Sequence, residues 1–308
     1  MQARQGAAIN NMRIGILAVL LLGMLTLGQV RIDVDQVLVH VTVTDMANRY
    51  VSGLTQNDFQ IWEDKIEQQI QYFGSEDTPL SVGIIFDVSG SMGDKLEAAR
   101  AAAALFLRIG NRDDEYFLIE FNDTARLVQD FTTDITRMQN RLVTTKAKGS
   151  TALYDALYLG LEHLRRGRNT RKAILLITDG EDNHSRYSFA NVKDVAKERD
   201  VAIYGIGILD RASLDFYGQG RRLLAALADL TGGTAFFPDS VNSLDAICQQ
   251  IALNLKNQYV LGYRSTNSSY DGKWRKLRVQ VKKQAGMPRM SARVKSGYYA
   301  STTASAMK

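Results

Sequence analysis

Between residues 79 and 255, apolar runs of strand length alternate with amphipathic helical segments, and few architectures satisfy that order. The strand runs are 82–86, 116–121, 173–177, 201–208 and 235–237. The helical patterns are 95–108, 135–143, 153–165, 189–198, 223–230 and 244–255. Strands without a polar face need cover on both sides, and crossover helices supply it. The expected fold class is therefore α/β, a doubly wound, mostly parallel sheet flanked by helices. Such sheets bind ligands beyond the carboxyl ends of their strands, near a topological switch point.

The regions on either side of this part follow a different period. In 37–44, Val37, Val39, Val41 and Val43 share one face, while His40, Thr42 and Thr44 take the other, as in a strand. Short strands are expected at 59–63 and 69–73, and again at 259–263, 277–281 and 291–298, with Asp271-Gly272 in a turn. The chain thus divides into a β-rich flank at 31–75, the α/β domain at 79–255, a second β-rich flank at 256–300 and a Ser/Thr/Ala tail at 301–308 expected to be disordered. One arrangement open to the flanks is to pair with each other, leaving the α/β domain as an insert.

Residues 1–28 look like a signal peptide or an N-terminal anchor. Arg4 and Arg13 precede the apolar run 14–27, which is shorter than the roughly 20 residues a spanning helix needs. Thr26-Leu27-Gly28 offers an imperfect cleavage site, and no Cys is present there to carry a lipid. The expected location is exported: periplasmic, secreted or membrane-anchored, with membrane contact only through that segment. The net charge of the 308-residue chain is +5, and outside this segment 36 basic residues face 33 acidic ones. No long basic run or basic–aromatic interleaving occurs, which argues against nucleic-acid binding. The single cysteine, Cys248, excludes an intramolecular disulfide and suits a buried helix position.

At the end of the first central strand stands Asp87-Val88-Ser89-Gly90-Ser91. Side chains two apart in extended backbone point the same way, so Asp87, Ser89 and Ser91 can turn three oxygens toward one point. A carboxylate with two hydroxyls suits a hard divalent cation, Mg²⁺ before Mn²⁺ or Ca²⁺. Two further loops carry oxygen donors at comparable places. Gly149-Ser150-Thr151-Ala152 precedes a helix, where Ser150 or Thr151 could equally be its N-cap. Thr178-Asp179-Gly180 follows an apolar strand, where Asp179 could equally begin a turn.

On these residues the chain resembles the von Willebrand factor A domain. Phe86-Asp87-Val88-Ser89-Gly90-Ser91-Met92 matches that family's first motif, and the Thr151 and Asp179 loops follow in order. Weaker likeness to bacterial exported proteins carrying this domain lies in Val41–Asp45, Leu54–Phe59 and Gln258–Tyr263. The resemblance implies a Rossmann-like fold and a metal-ion-dependent adhesion site formed by Asp87, Ser89, Ser91, Thr151 and Asp179. Ser89, Ser91 and Thr151 would touch the metal directly, and Asp87 and Asp179 directly or through water. A protein partner would complete the shell with a Glu or Asp, and the last helix, 244–255, could shift as it does.

Neighbouring residues carry smaller expectations. Asp94 reads as a charge of the first helical turn. Glu181, Asp182, Asn183, His184, Lys146 and Lys148 read as solvated loop residues or as a rim. An Mg²⁺-dependent hydrolase or phosphatase is the alternative, but the general-acid position two residues after Asp87 holds Ser89. A Ser hydrolase needs a His partner, and of His40, His163 and His184 only the last could approach. The chain is therefore expected not to be an enzyme; a structural role without metal is the remaining alternative.

Overall fold

The computed structural model describes residues 36–143, 146–208, 214–283 and 289–302. Residues 35–305 form one unit by their contacts. The N-terminal segment 1–28 and most of the tail lie outside the described residues. Among the described residues, no helix is long and apolar enough to cross a membrane.

The first flank folds as β1 (Gln36–Thr44), β2 (Phe59–Glu63), β3 (Ile66–Gln68) and β4 (Ile70–Glu76). β2 and β3 form a hairpin through Asp64 and Lys65, both with positive φ of 46° and 75°. Left-handed backbone at both loop positions matches the strand twist, so a two-residue turn suffices. The α/β part comprises β5 (Leu80–Asp87), α1 (Leu96–Ile109), β6 (Glu115–Phe121), β7 (Ala125–Thr132), α2 (Ile135–Val143), α3 (Leu153–His163), β8 (Arg171–Thr178), α4 (Phe189–Glu198), β9 (Ala202–Gly207), α5 (Leu214–Thr231), β10 (Ala235–Phe236) and α6 (Leu244–Lys256). The chain ends in β11 (Gln258–Arg264), β12 (Trp274–Val281), β13 (Ser291–Arg293) and β14 (Gly297–Tyr299).

The central sheet runs β10-β9-β8-β5-β6-β7. All neighbours are parallel except β6 and β7. β5 is buried along its whole length, as its unbroken apolar run requires. One face packs on α1, α2 and α6, the other on α3, α4 and α5. β7 was not expected; an edge strand exposes one side to solvent, so its polar-rich sequence lacks an apolar run. α5 starts well before the expected 223, and Asp94 lies outside α1, whose first turn carries Glu97 instead.

The two flanks pair with each other. One sheet runs β13-β1-β11-β4 and the other β14-β12-β2-β3, so each mixes strands from both sides of the α/β part. Val39, Val41, Val43, Ile61, Leu261 and Val279 fill a shared core. The segment expected as a strand at 291–298 divides into β13 and β14, which belong to different sheets. The chain leaves this β frame after Glu76 and returns at Gln258, its register partner across the β4–β11 ladder.

Arg171 fastens that crossing. Only 4% exposed, it opens β8 and donates from Nη1 to the Thr78 carbonyl at 2.9 Å and from Nη2 to Gln258 Oε1 at 2.9 Å, with the Leu255 carbonyl also on Nη2. It thus holds both connections between frame and insert. A buried acceptor left without its donor costs about 1–3 kcal/mol, so Arg171→Leu should destabilise the protein by roughly 2–4 kcal/mol in urea denaturation. An unchanged midpoint would show the clamp to be idle.

A second buried network ties the frame together. Glu63, at the end of β2, accepts from Tyr263 Oη and Tyr298 Oη at 2.7 Å each, from Ser265 Oγ at 2.6 Å and from Arg275 Nη1 at 3.3 Å. Burial works to raise its carboxyl, but the hydroxyl donors and Arg275 outweigh it and hold the group below the ordinary value of 4.5. A depressed folded value means stability that is complete above the unfolded value and lost as pH falls through the folded one. Wild-type stability should therefore fall on acidification below about pH 4.5, and Glu63→Gln should flatten that part of the pH–stability curve. Parallel curves would remove Glu63 from this role.

Candidate metal-binding site

The carboxyl end of β5 lies at the switch point, with β6 on one side and β8 on the other. There the chain turns through Ser89 into a short 3₁₀ turn, Gly90–Met92, whose Met92 side chain is fully buried and anchors the loop. Asp87 is buried; its Oδ1 accepts from the Ser89 N–H at 2.9 Å and its Oδ2 from Thr178 Oγ1 at 2.6 Å. The Ser89 and Ser91 hydroxyl oxygens stand 3.1 Å apart. The expected convergence of these alternate side chains is thus a geometric fact for the two serines.

Backbone hydrogen bonds knit the Ser150-Thr151 loop to this turn. Gly90 N–H donates to the Gly149 carbonyl and Lys148 N–H to the Val88 carbonyl, each at 3.0 Å. Gly149 has φ +82°, and a Cβ there would strike the Asp123 carboxylate. That carboxylate accepts from the Ser150 N–H at 2.7 Å. On the other side, Thr151 N–H donates to Asn183 Oδ1 at 2.8 Å, while the Asn183 and His184 N–H groups donate to the Thr151 carbonyl at 3.0 and 3.1 Å. The loops bearing Ser89, Thr151 and Asp179 therefore form one hydrogen-bonded assembly.

Neither Ser150 nor Thr151 caps α3. Ala152 occupies the N-cap, and the free N–H groups of the first turn find acceptors in the following loop: Tyr154 N–H on Asp182 Oδ1 at 3.2 Å, Asp155 N–H on Ser185 Oγ at 3.1 Å. Capping from a neighbouring segment releases the Thr151 hydroxyl from the job that usually explains such a residue. It also reassigns Asp182 and Asn183 from the rim to the scaffold.

The electrostatics are unfavourable for the protein by itself. Burial, and then the neighbouring Asp179 carboxylate, push the Asp87 carboxyl up from 3.8 to about 7, against the pull of its Ser89 and Thr178 hydrogen bonds. Burial and Asp179 also raise Glu181. Asp179 Oδ1 is buried without a hydrogen-bond partner among the described residues. Two carboxylates buried together are relieved either by a counter-charge or by a proton on one of them. Among the described residues, no cluster of three or more His, Cys, Asp or Glu side chains could hold a metal ion. The donor set is instead two carboxylates with hydroxyls, a composition that suits an oxygen-seeking cation such as Mg²⁺ and not a soft one.

Residues that pattern alone did not single out complete the arrangement. Thr178 entered the sequence reading only as the residue before Asp179, yet its hydroxyl donates to Asp87 Oδ2 at 2.6 Å. Asp123 lies on a loop whose role depends on tertiary contact, its carboxylate accepting from the Ser150 N–H. Gly220, in α5, lies so close that a Cβ would meet the Gly180 carbonyl oxygen at 2.7 Å. No sequence signal pointed to it, because the expected helix began only at 223.

Asp179→Asn should raise the stability of the chelator-treated protein at pH 8 by roughly 1 kcal/mol, because it removes one of two buried like charges. Thermal denaturation in EDTA measures this; a lowered melting temperature would mean that the pair does not repel.

Residues 82–181 match the family described as von Willebrand factor type A domain. The chain is 28% identical over 142 residues to protein sll0103 of Synechocystis sp., covering 44% of this chain and 34% of that protein. It is 29% identical over 174 residues to the mouse calcium-activated chloride channel regulator 3A-1, covering 53% of this chain and 18% of that one. It therefore spans about a third or less of the length of these relatives. Among solved structures, the von Willebrand factor type A protein of Catenulispora acidiphila superimposes with a TM-score of 0.51 over 80% of this chain and 75% of its own, at 14% identity, a likeness of fold alone. The family match lies on β5 to β8, the strands whose ends carry Asp87 and Asp179, and it marks a von Willebrand factor type A domain in that part of the chain.

Proposed function

We propose that the chain is a non-catalytic binding module that captures a protein partner through a divalent cation. Asp87, Ser89, Ser91, Thr151 and Asp179 would hold the cation, which supplies an electrophilic point for a Glu or Asp of the partner. The observation that carries this reading is the Asp87–Asp179 pair: two buried carboxylates beside paired hydroxyls, with one oxygen, Asp179 Oδ1, lacking a hydrogen-bond partner among the described residues. Mg²⁺ is the first choice on donor chemistry, with Mn²⁺ and Ca²⁺ as competitors. Ser89 stands where a phosphatase of this general layout would need an acid, which favours binding over hydrolysis. The apolar run at 14–27 behind Arg4 and Arg13 supports export, so the partner would be met outside the cytoplasm.

The test is thermal denaturation of the chelator-treated protein during Mg²⁺ titration. A ligand that binds only the folded state stabilises it by about 2.7 kcal/mol at a hundredfold excess over Kd. Wild type should show such a rise, and Ser89→Ala with Ser91→Ala should abolish it while leaving the metal-free melting temperature nearly unchanged. A wild type indifferent to Mg²⁺, Mn²⁺ and Ca²⁺ would refute the reading.

A further inference from the structure

Five of the eight residues from Arg165 to Lys172 are basic: Arg165, Arg166, Arg168, Arg171 and Lys172. Gly167, Asn169 and Thr170 interrupt the cluster, so it makes no continuous run. The stretch leads from α3 into β8, at the amino ends of the parallel strands and away from Asp87.

Structure consumes only part of this charge. Arg171 is the buried clamp between frame and domain. Lys172 Nζ lies 3.5 Å from the Arg165 carbonyl, a contact that answers the carbonyl end of the preceding helix. Arg165 shares Glu162 with Arg199, at 3.2 and 2.7 Å, so one carboxylate serves two guanidinium groups. Arg168 is 58% exposed and stands 3.5 Å from Glu115. Arg166 is exposed and makes no ion pair among the described residues. Asp200 is taken by Lys295 at 3.0 Å. Fixed positive charge therefore remains at the surface.

The point where the chain enters the frame lies close by. A narrow recess is lined by Thr170 and Lys172 from the domain and by His40 from β1. Leu38 points to the same side of β1 as His40. It is in register with Gly262 and, through it, with Tyr72. Leu38 is 46% exposed and Tyr72 41%. From His40 back to Gln36, where β1 begins, is about 13 Å along the strand. Residues 28–35 alone separate Gln36 from the apolar run 14–27, and they span at most about 28 Å.

A bilayer holding that run would thus lie within reach of the basic loop. Guanidinium groups pair with phosphate oxygens through two donors. Tyrosine and leucine side chains suit the headgroup layer.

We infer that the Arg165–Lys172 loop, with Leu38 and Tyr72 beside it, is a membrane-facing surface that docks on anionic phospholipid headgroups. The inference rests on residues 1–28 acting as an anchor and is independent of the cation site.

The test reconstitutes the full chain, in EDTA, into vesicles of phosphatidylcholine alone or mixed with phosphatidylglycerol. A donor dye is attached at Thr170→Cys or, for reference, at Met46→Cys beyond the other end of β1. Both positions are exposed, and the native Cys248 is buried. Acceptor-labelled lipid lies in the bilayer. Energy transfer from position 170 should rise with phosphatidylglycerol, exceed that from position 46, and fall back at high salt. Time-resolved decays give the ratio of docked to free molecules. Arg165→Gln with Arg166→Gln should lower that ratio roughly fivefold per arginine. Arg166→Gln alone repeats the test at a position without an ion pair, should the double variant unfold, and Arg166→Lys should keep most of the docking. Protein that leaves pure phosphatidylcholine vesicles yet stays docked on mixed ones would lose the anchor and keep the surface. Transfer from position 170 that ignores phosphatidylglycerol, that does not exceed transfer from position 46, or that survives the glutamine substitutions would each overturn the inference.

Discussion

A carboxylate at the end of a strand buried on both faces is an expensive group to place, and much of this molecule is arranged around that cost. Asp87 follows seven buried residues of β5 and loses nearly all its water. Two donors, the Ser89 N–H and the Thr178 hydroxyl, recover part of the solvation. The first fixes the turn that aims Ser89 and Ser91, and the second binds β5 to β8. Asp179 then adds a second charge where a first is already costly, and the proposed cation would answer both. The glycine contacts Gly90–Gly149 and Gly180–Gly220 let backbones approach closely enough to hold this arrangement without side chains filling it.

What the chain discloses before folding follows from how local each constraint is. Asp87, Ser89 and Ser91 lie within five residues, and the period-two geometry of extended chain brings their side chains together whatever surrounds them. The α/β class is equally legible, because both-faced burial writes itself into unbroken apolar strands. β7 is not, since an edge strand accepts Arg126, Gln129 and Asp130 without penalty. β3 hides because Asp64-Lys65 is an uncommon pair for a turn that needs left-handed backbone twice. The role of Thr178 and the capping of α3 by Asp182 and Ser185 depend on segments roughly thirty to ninety residues apart, a separation over which no periodicity speaks.

The frame around the domain is held by polar chemistry as well as by its apolar core. Glu63 gathers two tyrosines, a serine and an arginine from the second flank, so strands from both sides of the insert depend on one buried acid. A buried ion pair gives little stability over an apolar substitute but penalises wrong pairings severely. In this β frame, β2 and β12 pair in the register that brings Glu63 to its donors.

The pairing of Glu76 with Gln258 has a mechanical consequence. Because the strand that leaves the frame and the strand that returns are hydrogen-bonded neighbours, tension drawn along the polypeptide from either flank passes across the β4–β11 ladder. The α/β domain hangs from that ladder as a closed loop, fastened at its neck by Arg171. The frame also meets the domain at Thr231–Lys295 and Ser296–Leu230, away from the loops at the far ends of β5 and β8. A protein tethered on one side and pulled on the other could thus be stretched through its frame while the geometry around Asp87 stays unstrained.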